Sequence, residues 1–494
     1  MKKQKKNIIH IIILALIALL FSGAIYLKNN FSIINFSEIM YSFKYGNDGM
    51  DYSIIFKSAL KMLPAFILVF MILYILFYDI TFNKKKLIIK EKQIYPFSIK
   101  YKKLLTSIIL IISICFVLYP LGLFDYVLNN TKNSTFIEEN YINPRDVKIE
   151  FKEKRNLVFI FVESLETTMF TKDQGGYWDY ELMPELYGLL NDEDSVVFYN
   201  KNKSQGIKMI EGSSWTTASV VSNLSGTPLK VNLATTIYDK NSFLNNIYTL
   251  GDLLKDNGYY NEVISGARTS FGGLQQFFTV HGDYSIIDEN TLDKYNLTMT
   301  KKDIGKWGFN DKYLFETAKK RLDVISKNKE PFNLELITID THFVDGFVGD
   351  YSETKYSQYE NAYATESKLI YDFVSWLKKQ DYYKNTTIVI TGDHLTMQTS
   401  LFKGKDVKDR YVYNCIINPI TKNAKNEKRI ITSLDNYPTI VYAIGGTIQN
   451  NRLGLGTNLF SNEKTLSEKY SFEKFSKELN KNSKYYNNKI LSRE

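Results

Sequence analysis

Cysteine is nearly absent from this 494-residue chain, which has only Cys115 and Cys415. Two cysteines exclude a disulfide scaffold and any Cys-rich zinc site. Proline (9) and glycine (26) are scarce, which excludes collagen-like and Pro-rich linker proteins. His10, His281, His342 and His394 are the only candidates for imidazole chemistry. A general spread of positive charge is also missing. The net charge is +9, but it is concentrated in two short segments. Lys2, Lys3, Lys5 and Lys6 form one; Lys84, Lys85, Lys86, Lys90, Lys92, Lys100, Lys102 and Lys103 form the other, with Glu91 as the only acid. Together they carry +11, which leaves the remainder at about −2 and excludes a nucleic-acid partner.

The chain is 44% apolar and 15% aromatic, enough for a sizeable core, and its length favours two or three domains. A mean hydropathy of −0.22 excludes a polytopic transporter. Three apolar runs, near 7–27, 59–80 and 104–124, are each long enough to span a bilayer. The first is long for a signal peptide and lacks a small-x-small cleavage site, so it reads as an uncleaved anchor. Pro64 and Pro120 read as lying near the ends of their runs, where a lost backbone bond matters least. Three crossings put both Lys clusters on one face, which the positive-inside pattern makes cytoplasmic. The expected layout is a membrane domain over 1–128, a linker over 129–154, an extracytoplasmic catalytic domain over 155–461 and a charged tail over 462–494. The tail reads as a helix with a frayed end and no chemistry. The expected location is a bacterial cell (inner) membrane, multi-pass.

From Arg155 onward, strand-like and helix-like segments alternate. The runs 156–162 (NLVFIFV), 260–264, 332–339 (FNLELITI) and 386–390 (TTIVI) suit buried parallel strands, and 360–379 carries a helical apolar stripe. This order predicts an α/β fold, a mostly parallel sheet flanked by helices, with ligands at the carboxyl ends of the strands.

Three of those ends carry ligand-type residues. The first strand runs into Glu163-Ser164-Leu165-Glu166, another into Asp340-Thr341-His342, and another into Thr391-Gly392-Asp393-His394. Carboxylates with one imidazole suit Mg²⁺, Mn²⁺ or zinc. A fourth element, Ser213-Ser214-Trp215-Thr216-Thr217, opens a helix-like segment. A Thr at a helix start is an N-cap in the simplest reading. Beside a divalent metal, its hydroxyl becomes a nucleophile for phosphorus.

The stretches 156–166, SSWTTASVVSNLSGTPL (213–229), ITIDTHFVDGF (337–347), TGDHLTM (391–397) and SLDNYPTIVYAIGG (433–446) resemble the membrane-anchored phosphoglycerol transferases of the alkaline phosphatase/sulfatase superfamily. Lipoteichoic acid synthases are relatives, and the members acting on periplasmic glucans match most nearly. The resemblance covers roughly 150–450 and implies an alkaline phosphatase-like catalytic fold. It implies a Thr nucleophile and one divalent metal, usually Mn²⁺, with Mg²⁺ or Zn²⁺ as alternatives. By matching motifs, Glu163, Thr216, Asp393 and His394 would hold the metal. Thr216 is preferred to Thr217 because it follows the Trp. His342 matches a substrate-contacting His.

One departure is plain: lipoteichoic acid synthases carry a Trp and an Arg after a Ser-Phe pair, whereas Ser270-Phe271 here precedes Gly272-Gly273-Leu274. Arg268 is the nearby candidate for gripping the anion. The expected activity is transfer of glycerophosphate from a phospholipid such as phosphatidylglycerol to a glycan or glycerophosphate-polymer acceptor, through a phospho-threonine. The alternatives are a phosphoethanolamine transferase, which typically uses zinc and several disulfides, and a non-catalytic membrane sensor or scaffold. A sulfatase activity is not expected, because no C/S-x-P-x-R motif lies in the nucleophile region.

Overall fold

The computed structural model describes residues 2–30, 36–45, 52–78, 87–89, 92–94, 102–231, 237–239 and 242–491. The chain divides into two units. One comprises Met1–Phe36 with Asp51–Val127, and the other Ser37–Met50 with Leu128–Glu494.

The first unit is built from helices α1 (Lys2–Asn30), α3 (Tyr52–Tyr78) and α4 (Lys102–Leu118); α2 (Phe36–Tyr45) lies between the first two in sequence. Leu14, Ile17, Ala18 and Leu73 form its buried centre, while Ile8, Ile12, Leu68, Ile72 and Ile111 remain exposed. His10 joins all three helices, with Nδ1 2.7 Å from the Tyr78 hydroxyl and Nε2 2.8 Å from that of Thr106. Ile8–Asn30 and Phe56–Tyr78 are long and apolar enough to cross a membrane.

The third run differs from expectation. It breaks after Leu118 and continues as α5 (Leu123–Asn130), bent by 78°. Pro120 lacks the amide a helix needs there, and Gly122 turns the chain at φ +68°. Pro64, expected near a helix end, lies inside α3 because that helix begins at Tyr52. Of the second Lys cluster, Lys84, Lys85, Lys86, Lys90 and Lys100 lie outside the described residues.

In the second unit, a seven-stranded sheet comprises β1 (Asn156–Val162), β2 (Ser195–Val196), β3 (Tyr260–Ser265), β4 (Ser285–Ile287), β5 (Phe332–Ile337), β6 (Thr386–Gly392) and β7 (Asn414–Ile417). Their spatial order is β2-β7-β6-β1-β5-β3-β4. The strands from β6 to β4 run parallel, and β7 and β2 add an antiparallel edge. Every residue of β1 is buried, and its side chains divide by period two. Leu157, Phe159 and Phe161 face one core with helices α6 (Thr216–Ser225) and α9 (Asn436–Ala443). Val158, Ile160 and Val162 face the other with α7 (Asp311–Ile325) and α8 (Gln358–Leu377). The predicted helix-flanked, mostly parallel sheet is therefore present. Because β1 lies at its middle, Glu163 emerges at the centre of the carboxyl edge.

Both flanking segments differ from their sequence readings. Within 129–154, Ile149–Phe151 pairs antiparallel with Gly446–Ile448, so this stretch is part of the domain. The tail forms α10 (Phe472–Asn480) and buries Phe475, Leu479, Tyr486 and Ile490 in the β1–α6 core. Phe475 and Leu479 lie one helical turn apart, which gives this charged helix an apolar seam. The Tyr486 hydroxyl donates to the Pro228 carbonyl at 2.7 Å.

Candidate active site

A short set of backbone contacts holds the ends of β1 and β6 together. Ser164 follows Glu163 in the left-handed region at φ +51°, which suits a sharp exit from the strand. Its amide donates to Asp393 Oδ1 at 2.7 Å, as does the His394 amide at 2.7 Å. The Glu163 amide donates to Thr338 Oγ1 at 3.0 Å, and Thr341 Oγ1 donates to the Glu163 carbonyl at 2.5 Å. The three strand exits β1, β5 and β6 are thereby locked to one another.

Glu163, Asp393 and His394 are all buried, and one ligand atom of each lies within 4.8 Å of the others. His394 Nε2 is 3.5 Å from Glu163 Oε1 and 3.4 Å from Asp393 Oδ2. That Oδ2 is buried without a hydrogen-bond partner among the described residues. His394 Nδ1 sits 3.1 Å from the Leu395 carbonyl; a proton there leaves Nε2 as the lone pair facing the carboxylates. Burial and the Glu163 charge push the Asp393 carboxyl up. Burial disfavours the His394 imidazolium, but Asp393 and Glu163 outweigh it and raise its pKa. Both shifts express a site deficient in positive charge. An unpartnered carboxylate oxygen, a second carboxylate and an available imidazole nitrogen fit a divalent cation.

Thr216 Oγ1 donates to Glu163 Oε2 at 3.3 Å. Its neighbour Thr217 is buried, and its hydroxyl donates to the Gly272 carbonyl at 3.0 Å. Of two adjacent threonines, one therefore faces the cluster and the other braces a loop. Thr216 makes no cap of its own: the N-cap position belongs to Trp215, which has no side-chain cap bond.

His342, after β5, is electrostatically coupled to His394 and Asp393. Burial lowers its pKa to about 4, opposed by the Phe343 carbonyl 2.6 Å from Nδ1. It is therefore neutral near pH 7. Its ring packs edge-on to Trp307 at 4.8 Å. Asp340, from the same motif, turns away from the cluster. Its Oδ2 accepts from the Asp311 amide at 2.9 Å and the Tyr351 hydroxyl at 3.0 Å. Arg268 stands on the loop after β3, where its guanidinium donates to Glu289. Among the described residues no hydrogen bond or ion pair joins it to Glu163, Asp393 or His394.

Sequence reasoning gave no role to Glu166 or Arg410. Glu166 is fully buried and accepts from Arg410 Nε at 2.8 Å, from Arg410 Nη2 at 2.5 Å and from the Thr396 amide at 3.1 Å. This pair ties the β1 exit to the loop that follows His394. Glu166 was visible one turn beyond Glu163, but its partner lies 244 residues away on a loop with no periodic signal.

The sulfatase family profile matches residues 155–446, more than half of the chain. The chain is 28% identical over 326 residues to phosphoglycerol transferase I of Salmonella choleraesuis, covering 64% of this chain and 40% of that protein. It thus spans about two fifths of that relative's length. Among solved structures, an alkaline phosphatase superfamily protein from Vibrio parahaemolyticus is similar at a TM-score of 0.48 and 21% identity, covering 65% of this chain and 72% of that one. The lipoteichoic acid synthase LtaP from Listeria monocytogenes is similar at a TM-score of 0.47 and 17% identity, covering 66% and 80%. On the family match, with Glu163, Thr216, Asp393 and His394 all inside it, this chain belongs to the sulfatase family.

Proposed function

We propose that the chain is a membrane-anchored phosphoglycerol transferase with Thr216 as its nucleophile. The observation that carries this reading is the Thr216 hydroxyl directed at Glu163, beside the Asp393–His394 pair, while Thr217 is committed elsewhere. Glu163, Asp393 and His394, with the Thr216 hydroxyl, would hold one divalent cation. Mn²⁺ is our first choice, with Mg²⁺ or Zn²⁺ as alternatives. When bound, the cation lowers the hydroxyl pKa and offsets charge on the phosphoryl oxygens.

The chain's own groups account for the rest. Thr216 Oγ1 attacks the phosphorus of a phosphodiester such as phosphatidylglycerol; the O–P bond forms as the bond to the lipid oxygen breaks. Diacylglycerol leaves with a proton, and glycerophosphate stays on Thr216. A glycan or polymer hydroxyl then attacks, the Thr216–phosphorus bond breaks, and the acceptor's proton ends on the departing Thr216 oxygen, which restores the hydroxyl. Glu163 Oε2 stands where the Thr216 proton points and orients the hydroxyl. His342, neutral and tethered at Nδ1, offers Nε2 as an acceptor to a substrate hydroxyl. Arg268 is engaged by Glu289, and we assign it no step.

In the same reading α1, α3 and the bent α4–α5 pair cross a bacterial inner membrane with both Lys clusters cytoplasmic, leaving residues from about 129 outside. The metal-ligand set also suits a phosphoethanolamine transferase, but the chain has two cysteines and both are free, so the several disulfides typical of that group are not available. Headgroup-labelled phosphatidylglycerol in membranes tests the proposal. Label should move to a sugar or polymer with wild type and stay in lipid with Thr216→Ala; movement from labelled phosphatidylethanolamine instead would contradict it.

A further inference from the structure

Helix α2 lies between two apolar helices in the sequence, yet from Ser37 onward it belongs to the globular unit. Ser37 Oγ donates to Glu211 Oε1 at 3.0 Å, the Tyr41 hydroxyl donates to the Gly272 carbonyl at 2.7 Å, and the Tyr45 hydroxyl accepts from the Ile237 amide at 2.7 Å. The four-residue spacing of these positions makes them one face of the helix. Tyr41 is 2% exposed, and its ring stands 5.4 Å from that of Trp215, the residue before Thr216. The carbonyl that receives Tyr41 also receives Thr217. Gly272 has φ +61°, and a Cβ there would meet Thr217 Oγ1 at 2.7 Å, so this close approach requires glycine. Tyr41, the Gly272 loop and the start of α6 therefore form one packed assembly.

Glu38 follows Ser37 on this helix. It is only partly exposed and has no hydrogen-bond or ion-pair partner among the described residues. Its charge acts on both Glu163 and His394. Burial pushes its carboxyl up to about 7. It is not one of the three residues whose ligand atoms gather within 4.8 Å of one another. A partly exposed carboxylate without a protein donor keeps its oxygens open as acceptors for a ligand. An anionic phosphate cannot donate to them, whereas a headgroup hydroxyl can.

We propose that α2 completes the active site: Tyr41 positions the start of α6 through Gly272, and Glu38 binds the hydroxyls of the phosphoglycerol headgroup. This rests on the phosphoglycerol-transfer reading and names the residue that recognises the glycerol. The test uses the full chain in detergent. With Cys115→Ala, Ser37→Cys and Glu211→Cys, a short bismaleimide should link the two new cysteines; no link in folded protein would overturn the seat of α2, whatever the activity. With labelled phosphatidylglycerol, Glu38→Ala should raise KM roughly tenfold or more, and Glu38→Gln less because its amide keeps an acceptor. Tyr41→Phe should lower kcat and leave KM nearly unchanged. Mn²⁺-induced thermal stabilisation should persist in all three. An unchanged KM in both Glu38 variants, or loss of the Mn²⁺ response matching Asp393→Asn, would overturn the Glu38 assignment. A wild-type chain that moves no glycerophosphate would defeat the functional reading and Glu38 with it, while the crosslink decides α2 separately.

Discussion

At the carboxyl edge of the sheet, Glu163 and Asp393 face an imidazole and a hydroxyl; between α7 and α8, Asp311, Asp340 and Glu366 face backbone amides and one another. Both groups are deeply buried. In the second, Asp311 accepts from the Ile339 and Asp340 amides, and Asp340 from the Asp311 amide and Tyr351. Burial first, and then a neighbouring carboxylate, pushes Asp311 and Asp340 up and Glu366 up to about 8. That group settles its charge by keeping protons. The Glu163–Asp393 group instead sets its carboxylates against the His394 imidazole and the Thr216 hydroxyl, a donor set that a divalent cation would complete. Depth of burial, a raised pKa and unpartnered oxygens, on Asp340 and Glu366 as on Asp393, are common to both. The imidazole nitrogen and the threonine hydroxyl set against the carboxylates are what mark the candidate site.

Five substitutions sharpen this contrast. The largest expected effect is that of Thr216→Ala. Transfer should fall by about 10³-fold or more, with folding and the Mn²⁺ response retained. Thr217→Ala should lose about 1 kcal/mol of stability through the Gly272 bond and keep substantial activity; the reverse pattern would exchange the roles of the two residues. Next is Arg410→Ala, which leaves Glu166 charged and buried at a cost of about 3–5 kcal/mol, read as a lowered denaturation midpoint. Asp393→Asn should weaken Mn²⁺ binding by roughly 10–100-fold, measured by titration calorimetry on the full chain, whereas Glu366→Gln should leave it unchanged. Equal losses would erase the distinction between the two groups.

The smallest effect is in the pH profile of stability. Glu366 holds its proton in the folded state up to about pH 8, while the unfolded chain releases it near the ordinary carboxyl value. The unfolded state therefore binds fewer protons between about pH 5 and 8, and stability falls as pH rises through that window. Glu366→Gln should flatten the fall, seen as Tm rising by a few degrees relative to wild type at pH 8 and hardly at pH 5. A parallel shift at both pH values would contradict the protonated assignment.

The meeting of Glu163, Asp393 and His394 was legible because they follow apolar strands, and a parallel sheet brings such ends to one edge. Local pattern alone left Thr216 and Thr217 open; in the structure the Thr217 hydroxyl is taken up by a carbonyl 55 residues away. Asp340 carried the same strand-end signal as Asp393, but its fate depends on an α7 amide the pattern does not reveal. The tail hid its apolar seam among Lys and Glu. Helix α2 gave no signal because its partners, Glu211 and Gly272, come from loops far along the chain. The break after Leu118 was readable from Pro120 and Gly122 together, yet hydropathy alone runs straight across it.

The most direct test of the central claim is to look for the covalent intermediate. The full chain is incubated with phosphatidylglycerol and Mn²⁺ but no acceptor, quenched in acid, digested and sequenced by mass spectrometry. The account predicts one glycerophosphate on Thr216, absent from Thr216→Ala and removed when acceptor is added before the quench. An adduct on Thr217 or any other residue, or sustained transfer by Thr216→Ala, would contradict it.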